Sequence, residues 1–145
     1  MGNKTKKILV SILLIVLIAA TVGYYLFNKG PMDVKHSSAI KITATDLYEQ
    51  FSKDSVTALK KYSGKVLEVS GELNGISSNQ TNEKILLLKT NTDAAFINCT
   101  MEEDPGDLKA NDKISIKGIC SGIGQGDEDL GIKGDLYLTR CFLIK

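Results

Sequence analysis

Cys99, Cys120 and Cys141 carry the most distinctive chemistry in this 145-residue chain, and each lies twenty-one positions from the next. That spacing is far from the short ligand pairs of a zinc knuckle, and the single histidine, His36, stands well upstream. A thiol redox catalyst needs two partly exposed cysteines close together, as in Cys-x-x-Cys, and the chain has no such pair. Two readings stay open: in an oxidising compartment one pair closes a disulfide, or all three bury as small apolar thiols. One histidine in a polar segment builds no Ser–His–Asp set, so no enzyme and no cofactor are expected. Asp127, Glu128, Asp129 and Asp135 make an oxygen-rich loop, but Gly131 falls early for the loop glycine of a calcium-binding EF-hand. The expectation is a solvated acidic loop with no metal. The glycines Gly122, Gly124 and Gly126 precede no helix, so they do not form a phosphate cradle.

The elements that would position these residues begin with a membrane signal. Residues 8–27 contain no charge, and at about 1.5 Å per residue such a helix reaches roughly 30 Å, enough to cross a bilayer core. Lys4, Lys6 and Lys7 precede it without any acidic residue, and Tyr24 and Tyr25 sit near its far end. The positive-inside rule then predicts a cytoplasmic N-terminus (1–7), a transmembrane anchor (8–27), a polar linker (28–42) and an extracytoplasmic domain (43–145) in the cell membrane. Ile18-Ala19-Ala20 is a passable signal-peptidase site, but the apolar run continues past it, which favours an uncleaved anchor. No cysteine follows the run closely enough for lipid attachment, and Lys6 stands where a myristoylation motif wants Ser or Thr. Residues 30–145 hold fourteen basic residues against all seventeen acidic ones, a net charge of about −3. A mildly acidic domain is a poor footprint for a nucleic-acid partner.

Within that domain Ala44, Leu47, Tyr48, Phe51, Ala58, Leu59 and Tyr62 recur at spacings of three and four, which predicts helix over 43–62. It is either one helix or two short ones, with Thr43 capping the start and Asp54 a second cap. Strict alternation over 65–76 predicts a long strand with Leu67, Val69, Gly71 and Leu73 on its core face and a bend at Gly71. Further strands are expected at 84–90, 95–101, 112–120 and 135–144, with a single helical turn between Pro105 and Leu108. The second strand is apolar on both faces: either Ile85 and Leu87 or Leu86 and Leu88 must stay outside the core. With Phe96, the excluded pair forms a candidate interaction surface. On the last strand Leu136 and Leu138 face inward, and a local irregularity returns Cys141 to the same side.

Three strands, a short helix and two more strands is the order of an OB-fold, a mainly β, five-stranded Greek-key barrel, here with an added N-terminal helix. In that order the fourth and fifth strands are neighbours, which makes Cys120 and Cys141 the first choice for a disulfide. The run Ala44…Leu47…Phe51…Ala58…Tyr62-Ser63-Gly64-Lys65…Val69-Ser70-Gly71 resembles the entry into the tRNA anticodon-binding-like OB-fold family of bacterial envelope proteins, also described as OB-fold lipoproteins. Ile97-Asn98-Cys99, Ile116-Lys117-Gly118-Ile119-Cys120-Ser121-Gly122 and Leu136…Leu138…Cys141 extend the similarity over residues 43–144. The resemblance implies an OB barrel displayed from a membrane anchor, and it brings no activity with it. The expected role is a binding module for an envelope protein, a peptide or a glycan, with single-stranded nucleic acid as the alternative.

Overall fold

A computed structural model describes residues 2–28, 30–127 and 129–144. Met1, Lys29, Glu128 of the acidic loop and Lys145 lie outside the described residues. The chain divides into two compact units, residues 1–32 and 33–145. The first holds α1 (Asn3–Asn28), a 26-residue helix long and apolar enough to cross a membrane. Its Ser11 and Thr21 hydroxyls donate to carbonyls one turn back, which satisfies both within the helix.

The second unit runs β1 (Ile40–Thr43), α2 (Ala44–Lys53), α3 (Ser55–Tyr62), β2 (Val66–Ser78), β3 (Lys84–Lys89), β4 (Phe96–Met101), β5 (Lys113–Ile123) and β6 (Leu136–Ile144). Neighbouring strands follow the order β1-β2-β3-β4-β6-β5, and β2 also pairs with β5. Strands β2 to β6 therefore close into the five-stranded OB barrel, and β1 adds outside it, parallel to the first half of β2. The long strand closes the barrel by changing partners: residues 66–72 pair with β5, and residues 73–78 pair with β3.

Gly71 lies two residues before that change, and close packing requires a glycine there. A Cβ there would meet Ala44 Cβ at 2.9 Å, so the bare backbone lets the start of α2 lie directly on the strand. Two helices form, not one. Thr43 Oγ1 accepts from Asp46 N at 3.1 Å to cap α2, and Asp54 Oδ1 accepts from Thr57 N at 3.0 Å to cap α3. Leu47, Tyr48, Phe51, Ala58 and Tyr62 join the barrel core, and the buried tyrosine hydroxyls find partners in Gly134 O (2.8 Å) and Gln50 Oε1 (2.7 Å).

Two expectations are corrected. The stretch read as a linker is part of the domain from Asp33 onward. Val34 is buried, Lys35 pairs with Glu103 at 3.1 Å and lies 5.4 Å from the Phe142 ring centre, and β1 covers an edge of β2 that would otherwise stand open. Composition hid this, because four strand residues among polar neighbours are too few to show a period. The helical turn predicted after Pro105 is also absent: Asp104 Oδ1 accepts from Gly106 N at 2.9 Å and Gly106 has φ +78°, so Asp104-Pro105-Gly106 forms a side-chain-closed turn.

Candidate functional site

The alternation of β3 resolves which apolar pair is excluded. Leu86 and Leu88 are fully buried, while Ile85 and Leu87 stay partly exposed on the barrel's outer surface. Across the next ladder Ile85 faces Thr100, Leu87 faces Asn98 and Lys89 faces Phe96. One strand further, Asn98 faces Tyr137 of β6. The outer face of β3, β4 and β6 thus carries Ile85, Leu87, Phe96, Asn98, Thr100 and Tyr137, with Tyr137 43% exposed. Phe96 is half-buried on this face, as its place opposite Ile97 and Cys99 requires.

Two of these residues, Asn98 and Tyr137, carry no signal by type alone. Their positions were readable only from alternation, Asn98 between the inward Ile97 and Cys99 and Tyr137 between the inward Leu136 and Leu138. A third, Asp135, counted in the sequence as loop acid, works here as a clamp. Its Oδ1 accepts from Phe96 N and its Oδ2 accepts from Asn98 Nδ2, both at 2.9 Å. Because a carboxylate only accepts, this contact fixes the amide with Nδ2 toward Asp135 and leaves Oδ1 as an acceptor facing away. Tyr137 is bedded on Gly124, where a Cβ would come within 2.9 Å of its ring.

The charges around the face are already matched. Lys84 pairs with Asp104 at 3.8 Å, Arg140 with Glu102 at 3.5 Å, and Lys89 with Glu72 while donating to Asn111 Oδ1 at 2.7 Å. A groove of about 810 Å³ lies elsewhere, between the start of α2, the middle of β2 and the ends of β3, β5 and β6. It is edged by the same Glu72–Lys89 pair and by the cap of α2.

The cysteines form no site. All three are free and buried. Burial, and next the neighbouring Cys141 thiol, raise the Cys99 thiol well above its ordinary range, and burial raises Cys120 as well. The pairing expected for Cys120 and Cys141 is not formed: Cys120 stands across from Leu138, and Cys141 reaches the core beside Met101. The reason is the β5–β6 register: Thr139 faces Ile119 and Phe142 faces Lys117, so Cys141 falls at Gly118, two residues from Cys120, and the slip at Arg140, with φ 52°, turns Cys141 inward. His36 is exposed and hydrogen-bonds Asp33 at 2.8 Å, which with the His36 N–H holds the Asp33 carboxyl below its usual range. In the acidic loop Asp127 and Ile132 form a β-bridge, and among the described residues no three ligand-type side chains converge on a metal position.

A family model described as tRNA_anti-like matches residues 1–128. The chain belongs to the tRNA_anti-like family. Among curated proteins none matches it. The tRNA_anti-like fold accounts for the barrel, and β3 and β4 are the second and third barrel strands, whose face OB-folds in general use to hold ligands.

Proposed function

We propose that this tRNA_anti-like protein is a non-enzymatic binding module, held by α1 in the cell membrane with its barrel outside the cytoplasm. Lys4, Lys6 and Lys7 ahead of the apolar helix support that orientation. The observation that carries the binding reading is the outer face itself: Ile85 and Leu87 stay partly exposed beside Phe96 and Tyr137, so one side of β3, β4 and β6 groups aliphatic and aromatic side chains at the surface of the closed barrel. The partner is an envelope component, either protein, peptide or glycan. Nucleic acid fits poorly, because the lysines nearest the face are paired with carboxylates and the domain is net negative.

Two measurements test this. Alkaline phosphatase fused after residue 145 is expected to be active and a fluorescent protein dark, as for an exported C-terminus; the reverse result removes the topology. Crosslinking in intact cells is expected to capture an envelope component with the native chain and to lose it with Ile85→Asp, at unchanged protein level. Salt-sensitive retention of single-stranded DNA that disappears with Phe96→Ala would overturn the reading in favour of nucleic acid.

A further inference from the structure

The outer face has three properties that together select a ligand class more narrowly. First, it offers no backbone edge. β3 is paired on both sides by β2 and β4, β4 by β3 and β6, and β6 by β4 and β5. An extended peptide lying here has no strand to join, and its main-chain N–H and C=O groups would lose water without gaining partners. Second, the cations at its border, Lys84, Lys89 and Arg140, are each held by a carboxylate, so these three offer a phosphate backbone no unmatched positive charge. Third, the polar groups at its centre present acceptors, two of them carboxylate and amide oxygens that cannot donate. Asp135 uses each oxygen once and a carboxylate oxygen has further lone pairs, Asn98 keeps Oδ1, and Thr100 adds a hydroxyl in the next row.

Acceptors beside an aromatic ring, with Lys84, Lys89 and Arg140 already paired and no free strand edge among the described residues, suit a molecule that brings its own neutral donors and an apolar face. A hexopyranose has that construction: hydroxyls around its rim, and a C–H face that lies against the negative face of an aromatic ring. We propose that the face on β3, β4 and β6 is a site for a neutral glycan, with one sugar ring against Tyr137 and its hydroxyls donating to Asp135 and Asn98 Oδ1. Leu87 and Phe96 extend the apolar floor toward a second ring. Asp135 has a double role: it orients the Asn98 amide and accepts from the ligand. This assignment rests on the binding-module reading and narrows it.

The test is amide and side-chain NMR of the full chain in a detergent without a sugar headgroup, titrated with the β-1,4-linked N-acetylglucosamine tetramer and with maltotetraose. At millimolar concentration at least one is expected to shift Tyr137, Asn98 and Asp135. Tyr137→Ala is expected to weaken binding about tenfold, while Tyr137→Phe, which keeps the ring, leaves it within about twofold. Asn98→Ala is expected to weaken it comparably, with an unchanged melting temperature showing that the barrel is intact. No shift with either oligosaccharide, shifts confined to other surfaces, or equal affinity for Tyr137→Ala overturns the proposal. An unstructured peptide or oligo-dT that moves the same residues more strongly overturns it too. Should Ile85→Asp still abolish crosslinking in cells while both sugars do nothing, the binding module stands and the glycan falls.

Discussion

Gly118 and Cys141 show how closely this barrel is fitted at the level of single residues. A Cβ on Gly118 would lie 2.5 Å from Cys141 Sγ, so the glycine is the socket for a side chain that the β6 irregularity turns inward. Gly118→Ala is therefore expected to cost about 1–3 kcal/mol by overpacking, measured by urea denaturation. Adding Cys141→Ala should recover part of that loss, since the smaller side chain vacates the same space. The thiols also set a pH dependence. Cys99 and Cys120 have raised pKa values when folded, so folding favours their protonated forms. Their contribution is complete below the ordinary thiol range and is lost as pH rises through it, because the unfolded chain ionises first. Stability is expected to fall above a pH of about 9, and Cys99→Ala should flatten that slope even though it lowers stability at neutral pH.

At the scale of elements β3 is the informative one. Its centre is apolar without a break, and a continuous run does not say which face is inside. The ladder decides: Leu88 pairs with Leu73 and Ile97, placing Leu86 and Leu88 in the core and turning Ile85 and Leu87 out. Leu86→Ala is thus expected to cost about 2–5 kcal/mol, whereas Ile85→Ala on the outer face should cost under about 1 kcal/mol. Thermal melts of the two variants side by side check this, and equal losses would mean that the outer pair is covered. The helices were legible because both of their caps are local. Thr43 and Asp54 bond to N–H groups three residues on, a relation written directly in the chain.

For the molecule as a whole, the segment between α1 and α2 changes what counts as the domain. Val34 is 1% exposed, and Lys117 Nζ donates to Lys35 O at 3.1 Å, so this strap is bound to β5 and β6 before it reaches β2 as β1. Val34→Ala removes two buried carbon groups and is expected to cost roughly 1–2 kcal/mol, a loss that a free tether would not show. Calorimetry of the full chain reads it directly.

Taken alone, the amino-acid sequence determined the long apolar helix, the capped helical stripe, the five alternating strands and hence the OB order. All of these depend on neighbours within a few positions, where side-chain period and cap chemistry act. It also carried the inward return of Cys141, because Leu136, Leu138 and Cys141 cannot share a face without an irregularity. Tertiary structure alone decided which face of β3 is wet, that Cys120 meets Leu138, that Asp135 clamps Phe96 and Asn98, and that Ile40–Thr43 is a strand. Those outcomes depend on register between strands far apart in the chain, and a shift of one residue exchanges the two faces of a strand without changing its alternation.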